Sequence, residues 1–430
     1  MAPSSRERAD VLLLHATSLV TMDRGEIPRR GADAGEIGLI EDGAVAILGD
    51  RIVAVGPTGE IAGRYAADPE NTQDLTGCTI LPGFVDAHTH VLFAGSRECE
   101  FEMRLQGRSY MEIAAAGGGI ASSVRAFRAA GDEEVLSETR ARLDRMLGLG
   151  TTTVEAKSGY GLATEHELRA LKLIDRLDGE HPCDLVGTLL GAHDIPSEYR
   201  PSREKYVALV IEEMIPRAAA ETGARFCDVF CERGVFTPEE ARAILVAARG
   251  HGLAPRLHAD EFAASGAAEL AAELSAMSAD HLMCPSDEGL RALAAGGTTV
   301  AILLPATSFS LGARTYAPVQ RMIEMGIPVA IATDCNPGSS MTVSLPLVMT
   351  LAVLEMRMTI AQSLTAVTVN AATSLGLSGE IGRITPGLRA DLQILATPTP
   401  AGIVYRLGDL APLSVFKSGR LVAAEGAPVG

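Results

Sequence analysis

The middle of the chain alternates short apolar runs with longer segments that are rich in Ala and Glu. Segments such as EEVLSETRARLDRML and PEEARAILVAARG predict helices, and the apolar runs between such segments predict buried strands. Eight runs predict strands, at residues 80–90, 151–159, 185–193, 225–232, 254–261, 278–284, 298–305 and 327–334. Parallel strands that alternate with helices predict an α/β fold, either a (β/α)8 barrel or a doubly wound sheet.

Both ends of the chain have a different pattern, with short apolar strands joined by tight turns. At the start, VLLLHATSLVTM precedes GAVAILGDRIVAVGP, which predicts a hairpin that turns at Gly49-Asp50. At the end, ADLQILAT precedes LSVFKSGRLVAAEG, with a turn at Ser418-Gly419. We therefore expect residues 1–80 and 382–430 to pair in one small β domain and residues 81–381 to form the larger α/β domain.

Composition and charge restrict the classes of partner. Of the 430 residues, 47% are hydrophobic and 21% are charged, which is typical of a globular protein. No apolar run approaches the roughly 20 residues of a membrane-spanning helix. Lys and Arg number 37 against 54 Asp and Glu, a net charge of −17 that repels nucleic acid and anionic membranes. We expect neither as a partner, and an anionic substrate would need a positive group of its own.

The cysteines and the N-terminus bear on the cellular compartment. The seven cysteines are scattered and include no CxxC pair, so the sequence indicates neither a disulfide framework nor a thiolate zinc site. The first residues lack a long apolar core that ends in a small-residue cleavage site. We expect reduced thiols and a cytoplasmic protein.

The first predicted strand ends in Asp86-Ala87-His88-Thr89-His90. Side chains two positions apart in a strand share a face, so Asp86, His88 and His90 are expected to point into the barrel. Two imidazoles placed in this way can chelate one metal ion of borderline softness. We expect His88 and His90 to be metal ligands, and Asp86 either to support them or to make structural hydrogen bonds.

Three later strands carry a histidine or an aspartate at the same end, where a barrel places its catalytic groups. These residues are His258 on the fifth strand, His281 on the sixth and Asp334 on the eighth. His258 and Asp334 would complete a set of three imidazoles and one carboxylate, with one position left for water. His281 would bind the metal weakly, hydrogen-bond that water or steady a developing oxyanion.

Two carboxyl groups are candidates for proton transfer. Asp334 can take a proton from a metal-activated water and pass it to a leaving nitrogen. Glu261 follows His258 by three residues, so strand alternation puts it on the opposite face unless the strand end turns it inward. We expect Glu261 to be a proton shuttle or a group that orients the substrate ring.

Motifs near both ends of the chain resemble the amidohydrolase superfamily. They are GDRIVAVGP, LTGCTILPGFVDAHTH, GEIGRITPGLRADLQIL and VFKSGRLV, and together they extend over nearly the whole chain. The resemblance implies a metal-dependent hydrolase with a (β/α)8 barrel of the TIM type. It also implies a small β-sandwich domain that is formed by both termini.

Further segments resemble one family of that superfamily, the imidazolonepropionases. They are HVLFAGSRECEFEMRLQGRSYMEIAAAGGGI, VEAKSGYGL, LGAHDIP, LHADEF, SADHL and ATDCNPGSS. The resemblance implies hydrolytic ring opening of 4-imidazolone-5-propanoate to N-formimino-L-glutamate in histidine degradation, by a metal-activated water. It implies a homodimer with one Zn2+ or Fe3+ per subunit, and as metal ligands His88, His90, His258 and Asp334. The implied catalytic residues are Glu261, His281 and Asp334. The implied substrate contacts are Arg97, Tyr110, Tyr160, His193, Glu261, Asn336, Gly338 and Ser339.

The fourth predicted strand bears on the number of metal ions. Many members of the superfamily bridge two ions with a modified lysine on this strand, whereas here it ends in Phe230-Cys231-Glu232. The sequence therefore favours a single ion. Lys157 on the second strand is the nearest other lysine, and we do not expect it to bridge a second ion.

The acidity of the chain draws attention to Arg97. The substrate that the resemblance implies carries a carboxylate, and Arg97 in the loop after the first strand can bind it in bidentate fashion. The alternative is a surface ion pair with Glu98 or Glu100. The loop at residues 336–340 can supply backbone N–H groups and hydroxyls to the same anion.

Two other classes of function remain open. An aminohydrolase that deaminates a nucleobase or a triazine would use almost the same metal ligands, and a catalytically inactive relative would act as a scaffold. Arg97 and the loop at residues 336–340 favour an acidic substrate over a neutral base. The four intact ligand positions favour an enzyme over a scaffold.

Overall fold

The computed structural model describes residues 6–108, 112 and 117–429. Its central element is an eight-stranded parallel sheet in which each strand pairs with the next one along the chain. The strands are β1 (Phe84–Asp86), β2 (Thr151–Lys157), β3 (Asp184–Ala192), β4 (Phe226–Cys231), β5 (Ala254–Ala259), β6 (Ser278–His281), β7 (Val300–Leu303) and β8 (Val329–Ile331). A doubly wound sheet would reverse its strand order, so this consecutive order confirms the (β/α)8 prediction.

Hydrogen bonds join the carboxyl ends of the first and last strands and the residues that follow them. The backbone N–H of Asp334 donates to the carbonyl of His88 at 3.0 Å. The carboxylate of Asp86 accepts hydrogen bonds from the backbone N–H of Thr333 at 3.0 Å and from its hydroxyl at 2.6 Å. Asp86 therefore makes structural hydrogen bonds across this seam, the second of the two roles expected for it.

Helices cover the outside of the barrel, and their buried faces pack on the strands. Helix Pro238–Gly250 is an example: it begins at a capping box between Thr237 and Glu240 and buries Ile244 and Leu245. The other barrel helices are Glu98–Leu105, Ile120–Ala129, Asp132–Gly148, Thr164–Glu180, Arg203–Leu209, Ile215–Glu221, Ala267–Glu273, Asp287–Gly296, Pro305–Ser310, Val319–Glu324, Leu345–Leu354, Ile360–Val367 and Val369–Ser374. None of the described helices is long and apolar enough to cross a membrane.

Both ends of the chain pair in one nine-stranded sheet. Its strands are Val11–Val20, Leu39–Leu48, Arg51–Pro57, Thr72–Asp74, Thr79–Pro82, Leu392–Leu395, Ser414–Lys417, Arg420–Ala424 and Ala427–Pro428. Helices Thr58–Arg64 and Ala401–Tyr405 and the strand pair Glu7–Arg8 and Tyr65–Ala66 lie in the same terminal segments. The two ends meet where Thr79–Pro82 pairs antiparallel with Leu392–Leu395. This arrangement fits the small β-sandwich domain, and the division at residues 80 and 381 stays a prediction.

The prediction of residues 80–90 as one strand is wrong. The structure divides this segment between Thr79–Pro82, which belongs to the terminal sheet, and β1, which belongs to the barrel. Gly83 separates the two strands at a point where a Cβ would collide with the side chain of Thr152. The two histidines of the first motif therefore follow the end of β1 and do not lie within a strand.

Candidate functional site

Polar side chains from four strands meet at the carboxyl end of the barrel. His88 and His90 follow β1, His258 lies in β5, His281 ends β6 and Asp334 follows β8, and each is at most 4% exposed. The Nε2 atoms of His90 and His258 are 3.2 Å apart. Oδ1 of Asp334 lies 3.5 Å from Nε2 of His88 and 3.6 Å from Nε2 of His90. Parallel barrel strands direct their carboxyl ends to one face, which brings these distant residues together.

The spacing of these atoms fits a metal ion. Two tetrahedral nitrogen ligands at about 2.0–2.1 Å from zinc lie about 3.3 Å from each other, close to the separation seen here. One set of ligand atoms within 4.8 Å of one another comes from His88, His90 and Asp334, and a second from His88, His258 and His281. Nε2 of His88 is buried and has no hydrogen-bond partner among the described residues, which leaves its lone pair for an ion.

His88 and His90 have the neutral state that metal binding requires. Burial lowers the pKa of His88 and His90 well below the ordinary histidine value, and neighbouring positive charges lower it further. Nδ1 of His88 is 2.6 Å from Oδ2 of Asp280, and Nδ1 of His258 is 3.1 Å from Oδ1 of Asp228. Because each carboxylate can accept a hydrogen bond from Nδ1–H, it favours the tautomer whose Nε2 carries the lone pair.

A layer of buried charges lies beside the histidines, and the sequence interpretation missed it. This site cluster consists of Glu155, Lys157, Asp228, Arg256 and Asp280, all 0% exposed. Nζ of Lys157 is 2.8 Å from both Oε1 of Glu155 and Oδ2 of Asp228, and Nη2 of Arg256 is 3.7 Å from Oδ2 of Asp280. A signal was present in the sequence, because Glu155 and Lys157 are two positions apart in an apolar strand and so share its inward face.

Lys157 does not have the state of a metal-bridging lysine. Burial lowers its pKa, but the charges of Asp228 and Glu155 outweigh burial and hold that pKa above the ordinary value. Lys157 is therefore an ammonium ion clamped between two carboxylates. A metal ligand must have an unprotonated donor atom, so this geometry agrees with the expectation that Lys157 does not bridge a second ion.

Asp334 is held with one oxygen towards the histidines. Its Oδ2 accepts a hydrogen bond from the hydroxyl of Thr307 at 2.6 Å. Burial raises the pKa of Asp334 to about 6. Its backbone φ is 51°, a left-handed conformation that is uncommon outside glycine and recurs at functional sites. Sequence reasoning did not point to Thr307, which lies in the helix after β7.

Glu261 reaches the same cavity because the chain turns at the end of β5. Asp260 has a backbone φ of 49°, and Oε1 of Glu261 lies 3.6 Å from Nδ1 of His281. Burial raises the pKa of Glu261 well above the ordinary glutamate value, and the charge of Asp334 adds to that shift. The structure thus places Glu261 inward beside His281, where burial favours its protonated form.

Arg97 lines the cavity and pairs with Glu100. Its Nε and Nη2 atoms donate to one carboxylate oxygen of Glu100 at 2.9 and 2.8 Å. The pair is not on the surface, because the two side chains are only 13% and 12% exposed. The guanidinium group packs against Gly338, where a Cβ would lie 2.7 Å from Cζ of Arg97. The ion pair with Glu100, which the sequence offered as a surface alternative to carboxylate binding, is present but lies in the cavity.

Tyr160 and His193 pack beside His90, with ring centroids 5.9 and 5.0 Å from its own. Nδ1 of His193 is 2.9 Å from the carbonyl of Gly159, and burial lowers the pKa of His193 to about 3. His193 is therefore neutral at physiological pH. Tyr110, which the resemblance also implies as a substrate contact, lies outside the described residues.

In the loop after β8, the side chain of Asn336 forms hydrogen bonds with the backbone of the same loop. Oδ1 of Asn336 accepts hydrogen bonds from the backbone N–H groups of Gly338 and Ser339, both at 2.8 Å. The side-chain nitrogen of Asn336 donates to the carbonyl of Asp334 at 2.6 Å. The N–H groups of Gly338 and Ser339, which we expected to face an anion, thus already donate to Asn336, and the hydroxyl of Ser339 donates to the same oxygen at 3.3 Å.

One cavity of about 390 Å3 joins the histidines to the arginine. It is lined by His90, His258 and Asp334 as well as by Arg97 and Tyr160. A space of this size suits a small molecule. A ligand here can contact the metal-binding groups at one end and the guanidinium group at the other.

The sequence matches known hydrolases over most of its length. The model of the amidohydrolase family matches residues 231–422. The chain is 49% identical over 393 residues to imidazolonepropionase from Geobacillus kaustophilus (strain HTA426), covering 91% of this chain and 92% of that protein. It is 46% identical over 419 residues to imidazolonepropionase from Alkaliphilus metalliredigens (strain QYMF), covering 97% of this chain and 99% of that protein.

Solved structures share the fold at low sequence identity. An adenosine deaminase from Xanthomonas campestris with bound zinc superposes with a TM-score of 0.70 at 20% identity, covering 99% of this chain and 95% of that one. A triazine hydrolase variant gives a TM-score of 0.73 at 17% identity, covering 97% and 96%. The family and the donor atoms of the site together support a divalent metal ion. With relatives this similar over nearly its whole length, the chain belongs to the imidazolonepropionase family of the amidohydrolases.

Proposed function

We propose that this protein hydrolyses a ring C–N bond of 4-imidazolone-5-propanoate and releases N-formimino-L-glutamate, a step of histidine degradation. The observation that carries the proposal is one cavity with two chemical ends. One end gathers imidazoles and a carboxylate that can hold a metal ion, and the other presents Arg97. A cyclic amide with a short carboxylate side chain matches both ends. The similar proteins named imidazolonepropionase support the same reaction.

We propose one metal ion per chain, Zn2+ or Fe3+, with His88, His90, His258 and Asp334 as its ligands. Imidazole and carboxylate donors accommodate either metal. When bound, such an ion polarises a carbonyl oxygen and lowers the pKa of a water molecule. The site cluster orients two of the ligands, because Asp280 contacts the imidazole ring of His88 and Asp228 contacts that of His258.

Asp334 is proposed to move the proton during ring opening. As a carboxylate beside the attacking water, it can accept a proton from that water and release it again. Thr307 holds one carboxylate oxygen, so the other faces the reacting atoms. The proton then passes to the ring nitrogen as its bond to the carbonyl carbon breaks.

Glu261 and His281 are proposed to act on the oxygen side of the ring. Protonated Glu261 can donate a hydrogen bond to the ring or to its carbonyl oxygen, and His281 can steady the negative charge that develops there. The two side chains stand 3.6 Å apart at their nearest ionisable atoms, so both can contact the same small ring.

The remaining contacts orient the substrate. We propose that Arg97 binds the propanoate carboxylate, and that Tyr160 and His193 contact the ring beside His90. In the loop after β8, Asn336, Gly338 and Ser339 border the same end of the cavity as Arg97. Tyr110 completes the proposed set of substrate contacts.

We also propose that the protein is a cytoplasmic homodimer that binds neither nucleic acid nor membranes. Its net charge of −17 supports the exclusion of both polyanionic partners. Phe101, Leu105, Phe309 and Met341 are 45%, 73%, 61% and 64% exposed, and apolar surface of this kind supports self-association. Sedimentation velocity should give one species of twice the chain mass, and a monomer at all concentrations would contradict the dimer.

The substrate can be tested directly. Purified holoenzyme should remove the ultraviolet absorbance of 4-imidazolone-5-propanoate rapidly and leave dihydroorotate and cytosine unchanged. Dihydroorotate controls for general cyclic-amide hydrolysis, and cytosine for deamination of a nucleobase. Turnover of cytosine in place of the imidazolone would contradict the proposal and favour the aminohydrolase hypothesis.

A further inference from the structure

Three charged side chains near one short helix form a wall of the cavity. Arg97 precedes helix Glu98–Leu105, and Glu100 and Arg104 lie within the helix. Positions three and four apart share a helix face, which is why all three side chains border the same cavity. This charged wall consists of Arg97, Glu100 and Arg104.

The carboxylate of Glu100 accepts hydrogen bonds from Arg97 and from the backbone of Gly119. One carboxylate oxygen takes the Nε and Nη2 donors of Arg97, and both oxygens lie 3.1 Å from the backbone N–H of Gly119. Glu100 therefore occupies the fork of Arg97 that a bidentate substrate carboxylate would otherwise use. A substrate carboxylate is left with the Nη1 side of the guanidinium group, which packs on Gly338.

Arg104 supplies the second positive charge of the wall. Its Nη1 donates to the carbonyl of Gly338 at 3.0 Å, so both arginines meet the same residue of the loop after β8. Burial lowers the pKa of Arg104 below the ordinary arginine value, and the charge of Arg97 adds to this shift. The two guanidinium groups thus repel each other, and Glu100 relieves that repulsion by its position beside Arg97.

The wall carries two positive charges and one negative charge. Arg108, which also lines the cavity, forms a separate ion pair with Glu112 at 3.3 Å. The described residues of the charged wall therefore present one net positive charge, which matches one carboxylate. Without the charge of Glu100 the wall would present two positive charges and would suit a dianion.

We propose that Glu100 is a specificity-determining residue that sets this wall to recognise a monoanionic side chain. The inference rests on the proposed function, because it takes the propanoate carboxylate to be bound at this wall. A unit charge a few ångströms from the bound anion is expected to change the relative affinity for a second negative charge by about tenfold. Glu100 then selects against substrates that carry a second carboxylate.

The test compares two unreactive analogues that differ in charge. One is 3-(imidazol-4-yl)propanoate, and the other is the corresponding imidazolylmethyl malonate, which carries two carboxylates. Inhibition constants for both are measured with wild-type holoenzyme and with Glu100→Gln, which keeps the shape of the side chain but removes its charge. Glu98→Gln is the matched control, because Glu98 lies on the same helix but lines a neighbouring cavity.

In Glu100→Gln the affinity for the malonate relative to the propanoate should rise about tenfold, and in Glu98→Gln it should stay within twofold of wild type. A purely structural role of Glu100 would weaken both analogues together and leave their ratio unchanged, which would overturn the inference. An equal shift in Glu98→Gln would also overturn it, because the effect would then be one of overall charge.

A second variant covers the case in which Glu100→Gln does not fold. Arg104→Gln lowers the charge of the wall, so the relative affinity for the malonate should fall, and an unchanged ratio would again contradict the inference. If wild-type enzyme binds the propanoate and turns over the imidazolone while the ratios stay constant, the inference alone fails. If wild-type enzyme neither binds the propanoate nor turns over the imidazolone, the proposed function fails and the inference fails with it.

Discussion

Clusters of charged side chains occur at both ends of the barrel, one fully buried and one partly buried, and the two are built differently. At the amino end, the basal cluster of Asp184, Arg389, Asp391 and Lys417 joins the start of β3 to the terminal sheet. Nζ of Lys417 is 2.7 Å from Oδ2 of Asp184 and 2.6 Å from Oδ2 of Asp391, and Arg389 also pairs with Asp184. Two carboxylates there face two cations. At the carboxyl end, the site cluster has three carboxylates and two cations.

One carboxyl group of each cluster shows a contrasting pKa. Burial raises the pKa of Asp184, but the charges of Lys417 and Arg389 outweigh burial and leave that pKa below the ordinary value. Burial also raises the pKa of Asp280, and there the charges of Arg256 and Lys157 do not compensate, so its pKa stays above the ordinary value. Oδ1 of Asp280 has no hydrogen-bond partner among the described residues.

The two clusters suit different roles. A buried ion pair needs its charges and hydrogen bonds satisfied, and the basal cluster meets that condition with its own residues. The site cluster leaves negative charge in excess beside His88 and His258, and a bound cation would compensate that charge. We therefore expect changes at the basal cluster to act on stability and changes around the site cluster to act on metal binding and catalysis.

The largest expected effect is at Asp334. Asp334→Asn removes a proposed ligand and the proposed proton carrier, so kcat should fall by at least about 10^3-fold. The free energy of unfolding of the metal-free protein should not fall, because the variant no longer buries a carboxyl group whose ionisation is disfavoured. Steady-state kinetics and urea unfolding measure the two effects. Activity within tenfold of wild type would remove Asp334 from the mechanism.

Asp280→Asn should give the next largest effect. The change keeps a hydrogen-bond acceptor for His88 but removes the negative charge that supports this ring, and loss of such a partner lowers metal affinity by about 10–100-fold. Competition with a chromophoric chelator measures the affinity independently of turnover. Asp184→Asn serves as the control and should bind the metal as wild type does; equal affinities in all three proteins would contradict the role given to the site cluster.

The basal cluster should respond in stability alone. Asp184→Asn leaves Lys417 and Arg389 with one carboxylate fewer, so the free energy of unfolding should fall by about 1–3 kcal/mol. The kcat for the imidazolone should stay within twofold of wild type, because the cluster lies at the opposite end of the barrel. A large loss of kcat in Asp184→Asn without a loss of stability would contradict the structural role given to the basal cluster.

The smallest effect is the pH dependence of the stability difference between wild type and Asp184→Asn. The pKa of Asp184 is lowered in the folded protein from a reference value of 3.8. Its contribution to stability is therefore complete above about pH 4, the unfolded value, and is lost as the pH falls through the lower folded pKa. The difference in unfolding free energy between wild type and Asp184→Asn should be constant from about pH 7 to 5 and shrink below about 4. A difference that grows on acidification would contradict the sign of the shift.

The strands and the site residues differ in how far the sequence predicts them. The period of apolar residues located all eight barrel strands, because burial on both faces leaves a clear pattern. The prediction joined β1 and Thr79–Pro82 into one strand, because two consecutive buried strands have the same apolar pattern even when they belong to different sheets. Their pairing partners distinguish the two strands, and these partners lie far away in the sequence: Thr79–Pro82 pairs with Leu392–Leu395 and with Val11–Val20, whereas β1 pairs with β2.

The candidate site shows the same limit. The carboxyl ends of parallel strands converge, so His88, His258 and Asp334 could be grouped from their positions alone. Strand period gives the face of a side chain but not its partner across the barrel, which is why the contacts of Asp228 with His258 and of Asp280 with His88 were missed. The inward turn at Glu261 likewise depends on the local backbone, which the sequence left open.

Metal titration of the metal-free enzyme tests the central claim most directly. Protein stripped by a chelator is titrated with zinc, and hydrolysis of 4-imidazolone-5-propanoate is followed at each addition. The account predicts no turnover without metal and a linear recovery that is complete at about one equivalent per chain, as expected for a site of three imidazoles and one carboxylate. Full activity of the stripped protein, or recovery that requires a second equivalent, would contradict it.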